Sequence, residues 1–262
     1  MAQPAPEVLR ARDPNHKVEV EDSPRWVRVE LNGLIIADTK HAKLLRETQQ
    51  RPVYYFPPED VRLDLMQQTD RHTHCPYKGQ ASYWTVAIGD RVAENAVWSY
   101  PDPYPEHDQI RGHLAFYWNQ MDAWYEEAEQ IFGHPRDPYH RVDVIESTRH
   151  VRVAIDRETV AESRRPRLLF ETGHPTRFYL PRDDVRMDLL SPTETRTRCP
   201  YKGQASYWTA RVGDTELADI VWSYEDPIPE CPKIKGYLSF FNEKVDVWVD
   251  GELEKRPITG WS

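Results

Sequence analysis

Cysteine is scarce, with three residues in 262: Cys75, Cys199 and Cys231. Their odd number, wide spacing and lack of a C-x-x-C argue against a disulfide framework and against a four-thiolate zinc site. Long apolar runs are missing too. No stretch approaches the roughly 18 residues of a membrane span, and the opening MAQPAPEVLRARD lacks the apolar centre of a secretory signal. Positive charge is in deficit, with 34 Lys and Arg against 43 Asp and Glu, a formal net charge of −9 and a pI of about 5.6. A global pull toward DNA, RNA or an anionic membrane is therefore disfavoured. These absences predict a soluble, cytoplasmic protein with no nucleic-acid or membrane partner. Glycine is sparse (11) against proline (22), and no low-complexity repeat appears. What the chain has in quantity is aromatic: 9 Trp, 14 Tyr and 7 Phe within 39% hydrophobic residues, enough for a packed core.

One internal repeat dominates. Cys75-Pro-Tyr-Lys-Gly-Gln-Ala-Ser-Tyr-Trp-Thr85 recurs unchanged as Cys199 to Thr209, at an offset of 124. The same offset aligns Val61-Arg62-x-Asp64-Leu65 with Val185-Arg186-x-Asp188-Leu189. It also aligns Val97-Trp98-Ser99-Tyr100 with Val221-Trp222-Ser223-Tyr224. Residues 12–124 and 136–248 share 52 identities in 113 ungapped positions. The period is too long for a solenoid unit, and each copy is long enough to bury its own core. The expected organisation is a disordered tail at 1–11, a domain at 12–130, a linker at 131–135, a second domain at 136–255 and a tail at 256–262. Two fused copies also suggest a monomer whose domains pair about a pseudo-two-fold axis.

Periodicity predicts strands. Ala81 to Ile88 alternates, placing Ser82, Trp84, Val86 and Ile88 on one side and Ala81, Tyr83, Thr85 and Ala87 on the other. Ala96, Trp98 and Tyr100 share the face of a second run, and Gly89-Asp90 and Gly213-Asp214 supply reversals. The two runs predict a hairpin with a long loop. His113–Tyr117 and Met121–Tyr125 suggest another hairpin, and Pro57–Leu65 a helical turn or two. Each domain is thus expected to be a small antiparallel β structure, mainly β, with short helical turns.

Several residues carry candidate chemistry. Cys75 and Cys199 offer thiolates, with Lys78 and Lys202 three positions on across a Pro-containing turn. His16 and His140, shared by the copies, are candidate bases. The commonest fate of such a thiol is nevertheless burial as a small hydrophobe. His72-x-His74-Cys75 has zinc-ligand types, but copy two has Arg196 and Arg198, so we assign a solvated loop, no metal and no cofactor. Tyr83, Trp84, Trp98 and Tyr100, with Tyr207, Trp208, Trp222 and Tyr224, are candidate walls of one pocket per copy. Cys75, Tyr77 and Lys78, with Cys199, Tyr201 and Lys202, would edge it. Arg62, Arg186 and the two lysines would serve a carboxylate or phosphate. The leading expectation is a small, anionic ligand in each copy. The alternatives are an enzyme using the thiols or lysines as nucleophile, and a protein-interaction module using exposed aromatics.

The block Tyr55-Phe56-Pro57-x-Glu59-Asp60-Val61-Arg62, Thr73-x-Cys75-Pro76-Tyr77-Lys78-Gly79, Tyr83-Trp84, Trp98-Ser99-Tyr100 and Ile110-x-Gly112-x-Leu114-x-Phe116 is distinctive. It resembles the domain-of-unknown-function 427 family, which also carries a nucleotidyltransferase-like label, and the resemblance covers both copies. It implies a compact, mainly-β, tent-like fold and carries no established activity. Nucleotidyl transfer needs carboxylates for Mg²⁺ and a phosphate cradle. The chain has no G-x-x-x-x-G-K-[ST], and its spaced acids Asp60, Asp64 and Asp70 form only a weak pattern.

Overall fold

The computed structural model describes residues 13–262, so the tail expected at 1–11 lies outside the described residues. The chain divides into two compact units between Asp137 and Pro138. The described residues contain strands and short 3-10 turns.

Among the described residues the first unit has eleven strands. They are β1 (Val18–Asp22), β2 (Val27–Leu31), β3 (Leu34–Thr39), β4 (Lys43–Glu47), β5 (Val53–Tyr55), β6 (Met66–Cys75), β7 (Gly79–Ile88), β8 (Arg91–Pro103), β9 (Leu114–Phe116), β10 (Ala123–Glu126) and β11 (Glu129–Ile131). They pair antiparallel in the orders β1-β4-β5, β11-β10-β2-β3 and β6-β7-β8-β9. Phe56 and Leu114 exchange backbone hydrogen bonds of 2.7 and 2.8 Å, joining β5 to β9. The first and third sheets are thereby one layer, ordered β1-β4-β5-β9-β8-β7-β6.

Side-chain alternation along that layer makes two cores. Leu44, Tyr54, Val97 and Phe116 pack with Val27, Val29 and Leu31 of β2. Their neighbours Leu45, Tyr55, Trp98 and Ala115 point the other way, into a second cluster with Ala81, Tyr83 and Tyr100. The β2 sequence VRVEL shows why it forms a strand with one buried face. Val27, Val29 and Leu31 are fully buried while Arg28 and Glu30 stay half-exposed. Burying each such side chain is worth about 1.5–3 kcal/mol.

The second unit repeats this plan with β12 (Val142–Glu146), β13 (Val151–Ile155), β14 (Glu158–Ser163), β15 (Arg167–Glu171), β16 (Arg177–Tyr179), β17 (Leu190–Cys199), β18 (Gly203–Val212), β19 (Thr215–Ser223), β20 (Leu238–Phe240), β21 (Asp246–Val249) and β22 (Glu252–Leu253). Its sheets are β12-β15-β16, β14-β13-β21-β22 and β17-β18-β19-β20. Its cores split in the same way, with Trp208 in one and Trp222 and Tyr224 in the other.

Three local expectations are corrected. The β7–β8 hairpin closes through a two-residue turn, since Ile88 pairs with Arg91 and Val212 with Thr215. The sequence hid this because a bulge interrupts the alternation, with Asn95 at φ +50° and Asp219 at φ +51°. Strands β9 and β10 are not hairpin partners. The 3-10 turn Trp118–Gln120 carries the chain from the β8–β9 sheet to β2. The segment His72–His74 is strand, not loop, because β6 continues to Cys75. Over 57–65 the expected turns form at Pro58–Asp60 and Leu63–Leu65.

The repeated run owes part of its identity to one backbone position. Gly79 at φ +104° and Gly203 at φ +106° start β7 and β18. A Cβ there would sit 3.3 Å from Asp102 O in the first unit and 3.3 Å from Ile228 N in the second. Gly79→Ala should therefore cost about 1–3 kcal/mol, measured by urea unfolding. Wild-type stability in that variant would refute the constraint.

Candidate functional site

The β6–β7 connection is Cys75-Pro76-Tyr77-Lys78-Gly79, with Cys75 paired to Gly79. Proline cannot donate to the ladder, so the strand stops and the chain turns. The turn folds Lys78 inward, and its carbonyl accepts a 3.1 Å hydrogen bond from Tyr104 N. Lys78 is only 6% exposed. Its ammonium contacts Oε2 of Glu47, the last residue of β4. The other Glu47 oxygen lies 2.9 Å from His16 Nε2. The His16 ring stacks on Tyr77, with centroids 3.7 Å apart and planes 11° from parallel.

The second unit builds the same chain. Lys202 Nζ donates to both Glu171 oxygens at 2.6 Å, and His140 Nε2 lies 3.0 Å from Oε1. His140 stacks on Tyr201 at 4.2 Å. Burial raises the Glu171 pKa, but the Lys202 charge and hydrogen bond, helped by His140, more than reverse this and hold the carboxyl below its ordinary value. Sequence reading missed Glu47 and Glu171. The available signal was their survival in both copies, each 31 residues from the histidine and 31 from the lysine.

Beside this chain the first unit has a hollow of about 780 Å³. Tyr55, Tyr83, Trp98 and Tyr117 wall it, Cys75 and Lys78 edge it, and Gln50, Val53 and Asn119 also line it. Trp98 Nε1 donates to Tyr55 Oη at 3.1 Å, so the indole meets its polar need internally. Burial first of all raises the Tyr55 and Tyr100 phenols well above their ordinary value, so both keep their protons at neutral pH.

At the corresponding place in the second unit the chain supplies a buried charged pair. Arg177 stands where Val53 stands. Its guanidinium bonds Glu243 at 2.6 and 2.7 Å and also contacts Asn242. It lies 5.5 Å from the Trp222 ring and 5.5 Å from that of Trp261. Burial raises the Glu243 pKa, and hydrogen bonds from Arg177 and Thr259 outweigh it, leaving it lowered.

The other expected site residues fall in separate places. Trp84 and Trp208 face the main cores, opposite Tyr83 and Tyr207, because adjacent strand residues point to opposite sides. Arg62 and Arg186 make two-pronged surface pairs with Asp64 and Asp188. Tyr100, Cys75 and Lys78 line the hollow, whereas Tyr77 and Tyr201 back the histidines. His72 and His74 occupy the β6 face opposite Cys75, so these three do not converge on a metal. His140, Glu171 and His174 place donor atoms within 4.8 Å of one another. Lys202 engages both oxygens of that carboxylate, so the set offers no unpaired anionic ligand. Cys231, buried in the second core, has its thiol pushed up to about 11 chiefly by burial.

The molecule is thus a tandem of antiparallel β domains, each built round a part-buried histidine–glutamate–lysine chain. It belongs to the family described as domain of unknown function (DUF427), whose pattern matches residues 19–127 and 143–251. A search of curated proteins finds no match. The nucleotidyltransferase-like label gains no support from the acids. Asp60 accepts from Thr39 at 2.6 Å, Asp64 is paired with Arg62, and Asp70 lies on the edge strand β6.

Removing one member of a buried ion pair strands its partner, at about 3–5 kcal/mol. Glu171→Gln should destabilise the second unit by that order, while Glu171→Leu with Lys202→Met should be much closer to wild type. Because the folded carboxyl titrates below its ordinary 4.5, its contribution is full above pH 4.5 and is lost as pH falls through the folded value. Urea unfolding from about pH 3 to about pH 7 should therefore show a shallower acid loss in Glu171→Gln. An unchanged acid slope would contradict the assignment.

Proposed function

We propose that the first domain binds a small molecule in the hollow beside Cys75, and that the second domain does not. The observation that carries this is the hollow itself. At about 780 Å³ it falls within the roughly 300–1,000 Å³ of small-molecule sites, with aromatic walls and a polar side that includes Gln49, Gln50, Asn119 and His134. Rings supply area, while the phenols and the Asn119 amide supply orientation. In the second domain Arg177 and Glu243 take up the equivalent positions.

The geometry changes the expected ligand. Lys78 is neutralised by Glu47 and Arg62 by Asp64, so neither presents an uncompensated cation to a phosphate or carboxylate. Nucleophilic catalysis has less support than binding. The Lys78 ammonium is engaged by a carboxylate, and His16 Nε2 turns to Glu47.

Ligand-observed NMR with a mixed panel of cationic, neutral and anionic aromatic fragments tests the reading. Fragments should bind the full chain and lose binding in Val53→Arg, which installs the sister domain's residue, and in Tyr117→Ala. Circular dichroism checks that each variant is folded. Failure of every fragment to bind, or binding indifferent to both substitutions, would overturn it.

A further inference from the structure

We infer that the ligand of the first-domain hollow is a small organic cation, an amidinium or guanidinium joined to a flat ring. The inference rests on the binding reading above and adds the ligand's charge and shape.

The second domain shows what this framework holds. Arg177 opens β16 as Val53 opens β5, and both pair with the equivalent strand, at Leu169 and Leu45. The guanidinium carbon of Arg177 sits 5.5, 5.8 and 5.5 Å from the rings of Trp222, Phe241 and Trp261. All three distances are within the roughly 6 Å reach of cation–π attraction. Arg177 is 6% exposed, so its charge is carried in a largely desolvated place.

The first domain retains the frame and lacks the cation. Trp98 and Tyr117 have centroids 4.7 Å apart at 44°, against 4.6 Å and 48° for Trp222 and Phe241. The indole-to-phenol hydrogen bond is 3.1 Å in one copy and 3.0 Å in the other. Val53 is too short to place a charge over these rings. Asn119 replaces Glu243 and keeps a carbonyl oxygen able to accept from an amidinium N–H. At the offset of 124 Trp261 falls opposite Asp137, which has no ring, and the segment before it lines the hollow with Gly133, His134 and Pro135, so a ligand's own ring would supply the third aromatic surface.

Electrostatics agrees. Lys78 is paired with Glu47, so the hollow's inner end does not repel a cation. Arg51 lines the mouth but is exposed, where solvent and salt screen it. An anion would face the negative sides of the rings, which a cation favours.

The test titrates the full chain with benzamidine, with benzamide as neutral isostere and benzoate as the anion, by calorimetry. Benzamidine should bind once per chain, at least about tenfold tighter than the other two. Val53→Arg should abolish that binding. Arg177→Val with Glu243→Asn and Trp261→Asp, which clears the places of the guanidinium and of the third ring, should raise the stoichiometry from one to two. Benzamide or benzoate binding equally well, with loss in Val53→Arg, would overturn the charge assignment and leave the pocket standing. Benzamidine binding that Val53→Arg does not affect, or no benzamidine binding at all, would overturn the inference. A stoichiometry still at one in a folded triple variant would refute the equivalence of the two places.

Discussion

The carboxylate at the end of the fourth strand, Glu47 or its twin Glu171, is the constraint on which the rest of each domain depends. Its two oxygens hold a lysine from the β6–β7 turn and a histidine from the segment before β1. Three stretches distant in sequence therefore meet at one part-buried point. Burying an ion pair is no guarantee of stability, since desolvation offsets much of the attraction. Its effect is geometric. With Lys78 drawn inward, the Cys-Pro-Tyr-Lys-Gly turn lies against the small sheet, and Cys75 ends up on the edge of the hollow.

The same chain of charges gives the lysine beside the aromatic hollow a partner of its own. A cation attracts a phosphate when its charge is uncompensated. Here the compensation is internal and complete at the level of pairing, so Lys78 contributes hydrocarbon stem and fixed position. The hollow is then governed by its rings. Rings favour flat surfaces and positive charge over negative, and the second domain satisfies that preference with its own Arg177.

Fold and duplication were legible because an ungapped offset and a period of two survive in the residues themselves. Val27-Arg28-Val29 alternates buried and half-exposed as written. Legibility failed where backbone irregularity broke the period, as at Asn95 and Asp219, whose positive φ hides the start of β8 and β19. It failed again where residue type was preferred over alternation. Tyr83 and Trp84 are adjacent, so a strand must send them to different cores. Glu47 was illegible for another reason: an acid at a strand end looks like any surface carboxylate until its two partners are in place.

Duplication gives two copies freedom to diverge around one frame. Once a fused chain has two equivalent hollows, substitution of one side chain can close one of them without touching the other. Val53 and Arg177 occupy the same strand position and differ by a charged arm, and Asn119 and Glu243 differ by the countercharge that such an arm requires. A buried arginine without its glutamate would be costly, and a buried glutamate without its arginine equally so. The two replacements are therefore physically coupled: one domain has both members of the pair, the other neither. That coupling separates a domain whose aromatic frame holds its own arginine from one whose frame lines a hollow.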